Sequence, residues 1–244
     1  MYRGEKGFTL VELSIVIVII GLIVAGVIGG QALVRQAKIK GVVTEVEKYR
    51  VALNSFRLEY NALPGDFENA QSFWGAGTVT NGDGNRLISA VHMNQVENLA
   101  AFEHLTMAGL IEGTYNGVWG GAGEIGVNIP RNPYSQSTSF YFYGDPAPLW
   151  GNYSRGNSIV ASGFSTNQGY NDYQINVKDA YGIDVKLDDG KPLLGSVVSY
   201  NHTGICTTLN IFGASGTDIN DSEYRVSNPT DVCSMHFGLN YTFR

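Results

Sequence analysis

Four groups of residues in this chain have types and spacings that could do chemistry. Gly7 and Phe8 stand between a short polar leader carrying Arg3 and Lys6 and an apolar run from Leu13 to Ile28. Glu12 is the only ionisable residue from Phe8 to Val34. An ordinary secretory signal has its small-residue cleavage site after the apolar core. Here Gly7/Phe8 lies before that core, so a cut between them leaves the apolar segment on the mature chain. A carboxylate inside such a segment costs on the order of 2–4 kcal/mol near mid-bilayer and usually marks function. The second group, Asn81-Gly82-Asp83-Gly84-Asn85, places side-chain oxygens like the first half of an EF-hand or dockerin calcium loop, with Ile88 at the apolar position. Arg86 stands where such loops have glycine and His92 where they have a bidentate Glu, which favours a plain polar turn. The third group, Asp184, Asp188 and Asp189, gathers carboxylates at another turn. The fourth is the pair Cys206 and Cys233, the only cysteines. With no CxxC, an even pair in an exported domain points to a disulfide.

These residues need elements to hold them. As a helix rising ~1.5 Å per residue, Phe8 to Val34 extends about 40 Å, enough to cross a hydrocarbon core of ~30 Å. Beyond Gln31 the pattern becomes amphipathic: Val42, Val46, Tyr49, Leu53, Phe56 and Tyr60 recur at steps of three and four, one helical stripe. A single helix from Phe8 to Tyr60 follows, with the three aromatic residues of the stripe read as core packing. Leu63-Pro64-Gly65-Asp66 ends it. Asp66 is the expected cap of a short helix carrying Phe67, Ala70, Phe73 and Trp74. A second helix is predicted over 94–108, closed by Gly109, and 115–133 is a Gly- and Asn-rich loop. Strands are predicted over 139–143, 158–161, 195–200 and 233–243, with a helix over 178–187 and a turn at Asp188 to Pro192.

Gly7-Phe8-Thr9-Leu10-Val11-Glu12 resembles the type IV pilin and type II secretion pseudopilin family, whose prepilins carry G-F-T-L-[VI]-E directly before an apolar helix. The resemblance implies that a prepilin peptidase cuts after Gly7 and methylates the new N-terminus at Phe8. It also implies that Glu12 accepts a charge-assisted hydrogen bond from the Phe8 α-amino group, on its own chain or a neighbour's, setting register during assembly. Many family members have a proline near Gly29; this chain has Gly29-Gly30 instead. Some pseudopilins bind calcium in a C-terminal loop, the context for Asp184, Asp188 and Asp189. The leader lies at the cytoplasmic side by this resemblance, because Arg35, Lys38 and Lys40 balance Arg3 and Lys6 and leave the positive-inside rule undecided.

The expected fold class is α+β: a long N-terminal helix packed on a small antiparallel-sheet domain with a C-terminal disulfide loop. The organisation is a leader at 1–7, a transmembrane and polymerisation half of the helix at 8–34, an amphipathic half at 35–62, and a globular extracytoplasmic domain at 63–244. With 16 basic against 22 acidic residues there is no bulk footprint for nucleic acid. Neither a nucleophile elbow, a phosphate loop, HExxH nor a triad is present, and His92, His104, His202 and His236 are scattered. The chain is expected to be a non-enzymatic filament subunit. Its partners are further copies, related pilins, the prepilin peptidase and, before assembly, the inner membrane. The destination is a surface pilus or a periplasmic pseudopilus; no cofactor is expected beyond candidate calcium. A pseudopilin or minor pilin of a secretion or DNA-uptake machine is the alternative, and an unrelated membrane-anchored binding domain a second. Three sequons, at Asn201, Asn220 and Asn240, carry no weight in a prokaryotic setting.

Overall fold

A computed structural model describes residues 7–89, 97–118, 124–145, 156–163, 174–200, 205–209, 219–228 and 230–239. The chain divides at Lys38/Ile39 into two units. The first helix, α1 (Leu10–Tyr60), supplies the described part of unit 1 beyond residue 9 and the first element of unit 2. Within unit 1 its large apolar residues are exposed, Leu10 at 87%, Ile20 at 54% and Leu33 at 74%. Among the described residues of this unit, nothing offers them an apolar neighbour layer.

Unit 2 begins where the pattern turns amphipathic. Ile39, Val42, Val46, Tyr49, Ala52, Leu53 and Phe56 of α1 are buried, which is the predicted stripe with Ile39 and Ala52 added. Tyr60, its last member, is half-buried. Gly41 sits in mid-helix, where glycine costs ~1 kcal/mol relative to alanine. Its reason is a close approach: a Cβ there would lie 2.9 Å from Pro133 Cβ. The helix ends at Tyr60 because Asn61 takes a left-handed φ of 51°, just before the predicted stop.

Among the described residues the remaining elements are α2 (Ala70–Trp74), α3 (Glu97–Met107), β1 (Thr138–Asp145), β2 (Gly156–Gly163), β3 (Ile175–Asn176), α4 (Val177–Leu187), β4 (Val197–Tyr200), a 3-10 turn (Ile219–Asp221) and β5 (Val232–Gly238). All sheet pairings are antiparallel. β1 runs along the whole of β2, and β5 is the hub, pairing with β2, with β4 and, at its first two residues, with β3. Alternation along β1 sorts its side chains by face. Phe140 and Phe142 turn to the main core, where Tyr49 of α1 meets both rings edge-on and Phe102 of α3 stacks 4.7 Å from Phe142. Tyr141 packs with Val160 of β2 on the opposite face.

α3 closes as its sequence requires. Gly109 takes φ 68°, its N–H donates to the Thr106 carbonyl, and the Leu110 N–H reaches back to Leu105, a Schellman ending. α4 starts one residue before its predicted bound, capped by Asn176, whose side chain accepts from the Lys178 N–H at 3.0 Å. Asp66 departs from expectation. The residue preceding α2 is Asn69, with no side-chain cap, and Asp66 instead accepts from the Arg86 N–H at 2.8 Å. Gly65, at φ 87° and packed against the Glu97 carbonyl, turns the chain so that Asp66 points inward. The short strand β3 was not expected, because two residues are too few to show alternation. Residues 94–96 and 240–243 of the predicted helix and last strand lie outside the described residues.

Cys206 and Cys233 are joined, and both are fully buried. The bond ties a segment carrying the Thr207–Tyr224 bridge to the first residues of β5. For a loop of this length the chain-entropy model gives about 3.5 kcal/mol. A Cys206→Ala/Cys233→Ala variant is expected to lose roughly that much in urea unfolding. An unchanged midpoint, or two free thiols by mass in the untreated protein, would contradict the role assigned to the bond.

Candidate functional site

The N-terminal segment shows how a carboxylate can sit at the head of an apolar helix. Gly7, Phe8 and Thr9 are outside the helix, and Phe8 is 82% exposed. The Gly7–Phe8 peptide therefore lies in non-helical, accessible backbone, as a peptidase requires. Thr9 is the N-cap of α1. Its Oγ1 accepts from the Glu12 N–H at 3.2 Å, while Glu12 Oε2 accepts from the Thr9 N–H at 2.8 Å and from Thr9 Oγ1 at 2.9 Å. This is a reciprocal capping box, which satisfies donors that a helix start leaves open. Sequence reasoning assigned Glu12 only to a Phe8 α-amino group, which the uncut chain does not possess. The signal for Thr9 was present, since a threonine three residues before a glutamate at a helix start is the capping-box pattern.

Past Glu12 the helix offers only apolar surface up to Arg35, apart from Ser14, whose hydroxyl donates to the Val11 carbonyl at 2.8 Å, and Gln31. Among the described residues α1 is the one helix long and apolar enough to cross a membrane, with none of its most apolar window buried.

The proposed metal-ligating residues fall into two groups. In the first, Asn81 is engaged elsewhere, its Oδ1 accepting from the Gln71 N–H at 2.8 Å. Asp83 and Asn85 form successive turns: the Asn85 N–H donates to Asp83 Oδ1 at 3.0 Å and the Leu87 N–H to Asn85 Oδ1 at 2.8 Å. Arg86, at the loop's glycine position, does take the left-handed conformation, with φ 69°. Two carboxylates from distant sequence join Asp83 here, Asp66 and Glu97. Burial pushes the Asp66 carboxyl up to about 7, with the Glu97 and Asp83 charges adding to the shift, and burial likewise raises Glu97.

In the second group, Asp184, Asp188 and Asp189 do come together. Their oxygens are heavily engaged by the chain itself. Asp184 accepts from the Gly190 N–H at 3.2 Å and the Tyr224 hydroxyl at 2.6 Å. Asp188 Oδ2 accepts from the Ser196 N–H and from the Val197 N–H at 2.9 Å, and Asp189 from the Lys191 N–H. These contacts tie the end of α4 to the start of β4. Burial raises Asp184 to about 7, partly opposed by the Tyr224 hydroxyl.

His104 is a core residue. Its Nδ1 accepts from the Gly65 N–H at 2.9 Å, so Nε2 carries the proton and donates to the Thr80 carbonyl at 2.7 Å. Its ring stacks on Phe56 and lies against Trp74. Burial pushes it down to about 4 and His236 down to about 3. Tyr49, Phe56 and Tyr60 are packed among rings, as expected of a core. His92 and His202, with the sequons at Asn201 and Asn240, lie outside the described residues.

The chain matches the family model of the prokaryotic N-terminal methylation motif over residues 2–28. No curated protein and no solved structure matches it.

The imidazole of His104 yields a signed pH prediction. The unfolded chain protonates it near 6.5, the folded protein only near 4. Its contribution is therefore intact above pH 6.5 and lost as pH falls from 6.5 to about 4. Other groups titrate in the same range, so the observable is a difference from His104→Gln. That variant is expected to be less stable at pH 7, with the gap narrowing by about 3 kcal/mol toward pH 4. A gap constant across this window, measured by urea unfolding with chelator present, would contradict it.

Proposed function

We propose that this type IV pilin-like or pseudopilin protein, marked by its N-terminal methylation motif, is a structural subunit of a type IV pilus-like filament. The observation that carries the reading is the order of features from Gly7 onward. An accessible scissile peptide precedes a capped helix whose apolar surface is exposed on every side and interrupted by one carboxylate. Cleavage after Gly7 removes the leader and leaves the apolar helix attached. It also creates an ammonium group at Phe8, within a turn of Glu12.

In a membrane the Leu10–Val34 surface is covered by lipid, and Glu12, near the head of the helix, is within reach of interfacial water. In a filament the cover becomes the same helix from other copies. That exchange removes water from Glu12, whose carboxylate then depends on Thr9 and on an ammonium partner. A pairing that forms at one axial offset gives the packing a register that apolar contacts lack. The size of the unit from Ile39 onward favours the second reading, a pseudopilin or minor pilin of a secretion or uptake machine.

Two outcomes test the assembly reading. The mature chain is expected to begin at N-methylated Phe8 by intact mass, and a bulky residue at Gly7 to block processing. Assembled protein that retains Met1 would end the proposal. Glu12→Gln keeps the capping geometry without the charge, whereas Glu12→Val removes both. Both are expected to insert and be processed. Both should also lose filaments by roughly tenfold or more, since stranding one partner of a buried pair costs on the order of 3–5 kcal/mol. Normal filament number and length for either variant would remove the register role.

A further inference from the structure

The acidic group beneath the loop after α1 belongs to the unit from Ile39 onward, and its reading does not rest on the proposed assembly role. Asp66, Asp83 and Glu97 each present a carboxylate oxygen, and the three oxygens lie within 4.8 Å of one another. They come from the turn after α1, the glycine-rich loop and the first turn of α3. Asp66 is 4% and Glu97 3% exposed.

Backbone amides hold the group in place. The Arg86 N–H clamps Asp66 Oδ2 at 2.8 Å, while Glu97 accepts from the Asp83 N–H at 3.0 Å and from the Ser89 N–H at 2.8 Å. Each carboxylate oxygen has two acceptor positions, so one amide leaves capacity for a further ligand. Asp66 Oδ1 goes further: it is buried and accepts no hydrogen bond among the described residues. Its acidic neighbours have no proton to donate when ionised. A buried, unmatched carboxylate oxygen beside two more carboxylates is costly unless a cation meets it.

The donors are all oxygen, which selects a hard cation. Oxygens on one calcium ion at 2.3–2.6 Å can be no more than about 5 Å apart, and these three comply. The surrounding turns match a calcium loop in outline, with Asp83 and Asn85 at alternate positions and Arg86 in the left-handed conformation that such loops assign to glycine. The end ligands differ. Asn81 is engaged by the Gln71 N–H, and the carboxylates beside Asp83 come from Asp66 and Glu97 instead. A cleft of about 380 Å³ lined by Asn61, Asp66, Glu68, Gly84 and Arg86 reaches the Asp66 side of the group.

We propose that Asp66, Asp83 and Glu97 bind one calcium ion, which pins the loop after α1 to the start of α3. The Asp184 group lacks this warrant, because none of its carboxylate oxygens is buried without a hydrogen bond as Asp66 Oδ1 is.

The test uses the full chain in detergent micelles, stripped with chelator and titrated with calcium chloride by calorimetry and thermal melting. One site is expected, with a melting midpoint raised by several degrees and restored by chelator. Asp66→Asn and the exposed-site Asp83→Asn are each expected to weaken binding at least tenfold, with far-UV circular dichroism confirming their fold. Asp189→Asn, in the other acidic group, should leave the calcium response intact. Absence of any calcium response in the unaltered chain would overturn the proposal, as would a response unchanged in both Asp66→Asn and Asp83→Asn. A stronger response to magnesium chloride than to calcium chloride would overturn the assignment to calcium. Loss of the response in Asp189→Asn alone would place the ion elsewhere and also overturn it. If the group instead shares a proton, Asp66→Asn stabilises the chain without calcium dependence, and the site falls.

Discussion

A helix that is apolar on every side cannot stay in water, and one carboxylate near its head restricts what can replace the water. Leu10 to Val34 call for cover by lipid or by like helices, since the described residues of unit 1 offer nothing else to cover them. Glu12 makes either cover selective. Thr9 supplies two of its hydrogen bonds locally, so the charge can exist before any partner is met. Local capping is strong enough to keep the helix start intact, yet it leaves the carboxylate unneutralised. That residual charge is what makes the proposed pairing with an α-ammonium group more than a general apolar association.

The unit from Ile39 onward repeats the logic with a different solution. From Ile39 the same helix carries only one apolar face, and that face finds its own cover in α3 and the sheet. Tyr49 is central because three rings from two elements converge on it, Phe102, Phe140 and Phe142. β5 has the corresponding place in the sheet. It pairs with three other strands and carries the disulfide at Cys233, so the last part of the chain closes the domain.

Buried polar groups divide into those the chain satisfies and those it does not. His104 joins Gly65 to Thr80 through both ring nitrogens, fixing the turn after α1 against the glycine-rich loop. Tyr224 bridges Asp184 and Ser199, linking α4 to β4. Each is a complete polar network inside an apolar setting, which confers specificity of packing. Asp66 belongs to the other class, with one oxygen clamped and one open. A contrast of this kind separates a structural acidic cluster from a candidate ligand site better than counting carboxylates does.

Much of this was determined by the sequence alone, wherever the cause is local. The cleavage segment, the apolar run, the change to one stripe at Val42, the Gly109 ending and the Val177–Leu187 helix depend on residues within a few positions of one another. Thr9 and Glu12 were equally legible, three residues apart. The cysteine pairing followed because only two cysteines exist. Tertiary structure alone decided the rest. It turned Asp66 from an expected helix cap into a neighbour of Glu97, because Gly65 packs on the start of α3. Asn81 went to Gln71, and two distant carboxylates joined Asp83. It also brought β3 to β5 and Gly41 to Pro133. These contacts join residues ten or more positions apart, and no short-range pattern encodes which of many chemically equal partners a folded chain brings within hydrogen-bonding distance.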